Sequence, residues 1–254
     1  KSINVFAFEN CNNFVNINVD ENNEKYSSID GVLYNKDGTE LISYPHGRTD
    51  TSFTVPEKVT KICQYAFEDC LHLENVILPY SNIYLNSEAF RFCTSLKEIT
   101  IPADVSHIGS SLFKGCTSLE KITFEEGCTI DYIPQSFAED CSSLVSINIP
   151  STVRSIATYA FESCSNLENI EIPSIVTHIG SDAFRDCSSL KSFVIPSGVK
   201  EIQRSTFSGC SSLESIVIPD GITLIDNYAF SGCSSLQSID VPEGVEELGH
   251  GAFQ

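Results

Sequence analysis

The side chains of this chain best equipped for chemistry are eleven cysteines, five histidines and 34 carboxylates. Cysteine could supply a nucleophile, a redox pair or a metal ligand, histidine a general base or a ligand, and paired carboxylates acid–base catalysis. Their spacing argues against each. Cys-x-x-Cys is absent, which removes the usual zinc and redox signatures. His46, His72, His107, His178 and His250 are scattered; His107 and His178 share a repeat phase but lie three repeats apart. At strand spacing that is roughly 14 Å, too far to ligate one ion. There is no Gly-x-Ser-x-Gly elbow and no phosphate-cradling glycine loop. No carboxylate pair is marked out from a solvated rim. The chain reads as non-enzymatic, with no cofactor and no metal.

What the cysteines do show is a period. Nine of them are Cys11, Cys70, Cys93, Cys116, Cys141, Cys164, Cys187, Cys210 and Cys233, and from Cys70 the gaps are 23, 23, 25, 23, 23, 23 and 23 residues. Leu follows three residues after each of the last eight, from Leu73 to Leu236. A fixed period of this length means stacked copies of one supersecondary unit, a solenoid growing around a continuous core.

Counting from Cys187, apolar residues fall at +3 (Leu190), +6 (Phe193), +8 (Ile195), +12 (Val199), +15 (Ile202) and +20 (Phe207). The +6/+8 pair has the alternation of a strand with one buried face. Proline at +9 (Pro79, Pro102, Pro150, Pro173, Pro196, Pro219, Pro242) lacks an N–H, so each strand stops and the chain turns. The +12 and +15 residues point back into the core from an extended or 3₁₀-like stretch. A small–Phe pair follows, as in Ala160-Phe161 and Ala183-Phe184, leaving room for one helical turn before the next cysteine.

The motif C-x-x-L-x-x-I-x-I-P-x-x-V-x-x-I-x-x-x-A-F resembles the BspA-like class of leucine-rich repeats, over nearly the whole chain. The resemblance implies a leucine-rich repeat solenoid: a right-handed superhelix with short parallel strands on its concave side and 3₁₀ turns and loops on its convex side, with little helix. It also implies a bacterial or protist cell-surface or secreted protein, in some members an adhesin. Repeat class says much less about the ligand.

Two places depart from the pattern. Cys11 and Cys70 are 59 residues apart, enough for a degenerate unit with Gly47 in the cysteine slot and 13 extra residues. Ile29–Tyr34 and Leu41–Tyr44 flank Asn35-Lys36-Asp37-Gly38, which reads as a β-hairpin inserted around 29–45. Asn35, Asp37 and Glu40 faintly suggest a calcium loop, but without the length or ligand count of one. The second departure is the two-residue excess between Cys116 and Cys141, with one extra residue expected near Glu125–Ile130 and one between Phe137 and Cys141. It predicts an acidic bump of Glu125, Glu126 and Asp131, with Cys128 the more exposed of the two thiols outside the ladder (Cys63 is the other). The phased thiols are expected buried, about 4.8 Å apart and too distant for ready disulfide closure.

A net charge of −19 argues against nucleic acid and against unaided docking on anionic lipid. No apolar run approaches membrane-spanning length. The absence of any Asn-x-Ser/Thr acceptor favours a bacterial product. The chain starts and stops in mid-repeat, so residues 1–254 are expected to be one repeat domain of about ten coils within a longer protein, monomeric and extracellular or at the cell surface. Binding surface is then what remains. The +7 column, Ile77, Thr100, Thr123, Asn148, Glu171, Val194, Val217 and Asp240, points away from the core on the concave sheet. Val194 and Val217 form an apolar spot beside Ser192 and Ser215, suited to a host or bacterial protein ligand. A stalk projecting another domain is the alternative. A carbohydrate-binding module is disfavoured, because this strand face holds no aromatic platform.

Overall fold

In the computed structural model, which describes residues 3–4, 7–8, 11, 13–80 and 82–254, the chain winds into a solenoid of about nine turns. Each regular turn can contribute two short strands. The first, at the +5 to +8 positions, adds to a wide sheet in the order Ser146–Ile147, Lys121–Phe124, Glu98–Ile101, Asn75–Ile77, Ser52–Thr54. Pairing is parallel and in repeat register, with Ile122 opposite Ile99 and Thr123 opposite Thr100. Proline closes the strand and opens a tight turn: Val199 N–H donates to Pro196 O and Val153 N–H to Pro150 O, each at 3.0 Å.

The second strand has only two residues, at +14 and +15, and builds a narrow sheet. Lys61–Ile62, Tyr84–Leu85 and His107–Ile108 pair here, as do Tyr132–Ile133, Ser155–Ile156 and His178–Ile179. The stretch is therefore extended; no 3₁₀ helix forms among the described residues. Single turns of 3₁₀ type do occur, such as Cys187 N–H to Phe184 O. Left-handed residues keep them separate, for example Asp182 (φ 56) and Asp186 (φ 57) on either side of Phe184.

Inward residues of both sheets meet in one core. Its axis is a column of rings: Phe161 to Phe184 at 5.5 Å, Phe184 to Phe207 at 5.8 Å and Phe207 to Phe230 at 5.5 Å, tilted by 14°, 5° and 4°. Backbone bonds run beside them, Phe161 N–H to Ala183 O and Phe207 N–H to Ala229 O, both 2.9 Å. The column begins earlier than the cysteine count implies. Tyr44 stacks on Phe67 at 5.4 Å, so Ser43-Tyr44 fills the small–aromatic slot ahead of Gly47.

Every cysteine is free. Seven ladder thiols donate to the carbonyl of the residue at the ring position, or its equivalent, of an earlier turn, as Cys187 Sγ does to Phe161 O (3.1 Å) and Cys210 Sγ to Phe184 O (3.1 Å). Burial raises the pKa values of Cys116, Cys141, Cys164, Cys187 and Cys210. Only Cys11, Cys63 and Cys233 are part-exposed, and burial pushes Cys63 and Cys233 up to about 11. Native protein should therefore release no more than three equivalents with an aromatic disulfide reagent, and all eleven after guanidinium unfolding. Five or more fast native equivalents would contradict the buried ladder.

Both departures differ in detail from their sequence reading. The insertion is a three-stranded meander, β1 (Tyr26–Ile29), β2 (Val32–Asn35) and β3 (Glu40–Ser43). An additional tight turn at Asp30–Gly31 (φ 49 and 78) splits the run read as continuous, since both residues tolerate the left-handed region. β3 then pairs in parallel with Lys61–Ile62 and merges the meander into the narrow sheet. Asn35 Oδ1 accepts the N–H groups of Thr39 and Glu40, so it caps a turn rather than facing an ion.

In the long unit Cys128 is buried, not exposed, while Cys63 is the more accessible. Cys128 N–H donates to Glu125 O, the bond made by the +12 valine elsewhere, so Cys128 sits in that core slot. Both extra residues consequently lie between Cys128 and Ile133. None lies between Phe137 and Cys141; there the order of small residue and ring is reversed. Phe113 N–H bonds Phe137 O, and Ala138 N–H bonds Ala160 O, placing Ala138 where other turns carry the ring. Phe137 stays in the column but turns edge-on, at 79° to both Phe113 and Phe161.

The sheets are not continuous. Residues 168–172 form no strand, which parts the wide sheet between Ser146–Ile147 and Ser192–Val194. The narrow sheet parts between His107–Ile108 and Tyr132–Ile133, and again between His178–Ile179 and Glu201–Ile202.

Candidate functional site

Alternation on the wide strands turns +6 and +8 inward and leaves +5 and +7 outward, which fixes what the concave face can offer. The structure brings three of the outward candidates together. Ile77, Thr100 and Thr123 line a groove of about 400 Å³ with Glu98, Lys121 and Tyr80. Tyr80 is 72% exposed at the rim and Ile77 45% exposed on the floor. Tyr80 lies outside the +7 column. Its signal was an aromatic directly after Pro79, where other turns place Ala103, Ser151, Ser174, Ser197, Asp220 or Glu243.

Val194 and Val217 are opposite partners on paired strands and are 63% and 57% exposed. Ser192 pairs with Ser215 beside them. β-branched side chains on paired strands, with small hydroxyls two residues away, leave little side-chain entropy to lose on docking. The remaining candidates separate from these two spots. Glu171 and Asp240 lie on segments that form no strand. Asn148 is occupied within the protein: Phe124 N–H donates to its Oδ1 (2.8 Å), and its Nδ2 donates to Phe124 O (2.7 Å). Its amide continues the ladder where the backbone strand has ended at Ile147.

Charge is arranged in columns. On the wide side Lys97 pairs with Glu74 (2.5 Å) and Lys191 with Glu168 (2.6 Å), both exposed and worth little to stability. On the turn ridge Arg185 reaches Glu162, Asp182 and Asp186 at 3.4, 3.6 and 3.4 Å. Burial pushes the Glu162 and Asp182 carboxyls up, and neighbouring carboxylates push in the same direction. Burial holds the His46 and His107 imidazoles below their ordinary value, hence neutral at pH 7. Among the described residues no three His, Cys, Asp or Glu side chains converge on a point where an ion could sit.

Comparison with known proteins agrees with this geometry. The sequence model described as a BspA type leucine rich repeat region (6 copies) matches residues 46–168 and 154–254. Among solved structures, a leucine-rich repeat protein from Eubacterium ventriosum is 27% identical with a TM-score of 0.53, over 96% of this chain and 53% of that one. This chain thus spans about half the length of that protein. A Treponema pallidum (T. pallidum) leucine rich repeat protein is 27% identical with a TM-score of 0.58, over 65% of this chain and 77% of that one. A leucine rich cell surface protein from Faecalibacterium prausnitzii, 22% identical with a TM-score of 0.50 over 92% of this chain and 87% of that one, is alike in fold. No curated protein matches the sequence.

Proposed function

This chain belongs to the BspA-type leucine-rich repeat family, and from that premise we propose that it is a non-enzymatic recognition module of a cell-surface or secreted protein, adhesin-like, that binds a protein partner through its wide sheet. The observation that carries this reading is the Val194–Val217 pair, two large apolar side chains left in water side by side on a two-stranded sheet. Ile77 and Tyr80 offer a second apolar foothold on the same side of the wide sheet. Small polar residues between them, such as Thr100, Thr123, Ser192 and Ser215, can hydrogen-bond without holding a partner away. The net charge of −19 favours a partner with a basic rim. No helix among the described residues is long and apolar enough to cross a membrane.

The test is attachment of beads coated with the chain to epithelial cells and to matrix. Val194→Asp/Val217→Asp should reduce attachment by about tenfold or more, as expected for loss of a central apolar contact. Ile77→Asp/Tyr80→Ala should reduce it further. Unchanged attachment in both double variants would favour the spacer reading instead.

A further inference from the structure

The narrow sheet carries an outward row that the repeat consensus does not explain. Glu40, Lys61, Tyr84 and His107 are successive partners on paired strands, and Tyr132 follows across the break. The ring of His107 lies 4.2 Å from that of Tyr84 and 19° from parallel, covering one face of the phenol. On its other side His107 is held in place, with its Nδ1 3.2 Å from the Tyr132 hydroxyl, itself 3.1 Å from Ile108 O. Tyr84 is thereby braced from one side and still 37% exposed. It lines a depression of about 390 Å³ with Thr39, Glu40, Thr60, Lys61 and Asn86.

We propose that this depression is a binding subsite for a neutral sugar ring. A braced aromatic face is the surface on which the C–H face of a pyranose stacks, because the ring's negative quadrupole meets weakly positive hydrogens. The hydroxyls of such a ring then need donors and acceptors at the rim. Glu40 accepts, Lys61 and the Asn86 amide donate, and the Thr60 hydroxyl does either. The Asn86 side chain makes no hydrogen bond among the described residues, and Thr60 Oγ1 has only a 3.5 Å contact with Thr39 O. Charge sets the ligand class. Glu40 and Lys61 lie 3.5 Å apart and offset each other, so an anion would meet the carboxylate and a cation the ammonium. With His107 neutral at pH 7, the stack behind Tyr84 adds no charge. A polyhydroxylated ring without charge satisfies the aromatic face and the polar rim together. This platform lies on the narrow sheet, so it is independent of the protein-binding reading of the wide one.

The test is saturation-transfer NMR and titration calorimetry on the chain with neutral oligosaccharides built from glucose, mannose, galactose and N-acetylglucosamine. Sialyllactose and a tetralysine peptide serve as the anionic and cationic probes. At least one neutral series should bind, and Tyr84→Ala should weaken it by about tenfold, the scale of one aromatic contact. Asn86→Ala, a change on the sheet surface, should weaken it similarly, and Tyr84→Phe by no more than about threefold. Val194→Asp/Val217→Asp should leave sugar binding unchanged, while Tyr84→Ala should leave protein-dependent attachment unchanged. The proposal is overturned if no neutral series binds, if binding survives both Tyr84→Ala and Asn86→Ala, or if a charged probe binds better than every neutral one.

Discussion

Replacing Phe184 with alanine should cost about 3–5 kcal/mol of unfolding free energy. Phe184 is fully buried, stacked on Phe161 and Phe207, and has the edge of Phe193 against it at 5.0 Å. Removing the ring takes a contact from two neighbouring turns at once, and a linear array has no other layer to collapse into the gap. Guanidinium titration followed by circular dichroism gives the measurement. Phe184→Leu keeps most of the volume and should lose less than about 1.5 kcal/mol. A loss below 1 kcal/mol for the alanine variant would mean that the column closes up, contrary to its tight stacking.

Cys187→Asp should be comparably damaging, with a pH signature of its own. The thiol is fully buried and donates to Phe161 O. A carboxylate in its place has no proton to donate and would set a negative charge against that carbonyl. The folded state must then carry the acid protonated, so its folded pKa rises above the unfolded value of about 3.9. Such a group binds its proton more tightly when folded, so stability falls as pH climbs above the unfolded pKa. Holding it neutral at pH 7 costs about 4 kcal/mol, from roughly three pKa units at 1.36 kcal/mol each. The penalty should shrink towards pH 4, whereas Cys187→Ser, which keeps a donor, should show no such slope. Equal penalties for Cys187→Asp at pH 4 and pH 7 would mean that water or a cation reaches the ladder.

The fold was largely legible because one residue type per position recurs in phase. Cys187, Leu190, Ile195, Pro196 and Phe207 have equivalents in turn after turn, and repetition averages out the ambiguity of any single unit. The narrow sheet was less visible, since two residues such as Glu201–Ile202 are too few to alternate. Phe137 was misplaced because a reversed Phe–Ala order looks, in a count of residues, like an insertion. Of the candidate face, Val194 and Val217 needed only strand alternation to be found. For Asn148 the sequence is ambiguous, because an amide that caps a ladder and one that faces a ligand have the same sequence signature. The Tyr84–His107–Tyr132 row is hidden in the sequence because the two-residue insertion puts Tyr132 out of phase with the other two.

Where the turn of Cys164 meets that of Cys187, no strands pair in either sheet, while single backbone bonds cross beside the rings, from Phe184 N–H to Thr206 O, and on the wide side, from Lys191 N–H to Glu168 O. By strand pairing the molecule is therefore two arms joined at a seam that has no ladder. Ile77 and Tyr80 ride on one arm and Val194 and Val217 on the other, so flexing the seam changes the angle between two grips without tearing either. Under tension between its ends, the same seam should yield before the turns that are joined by strands.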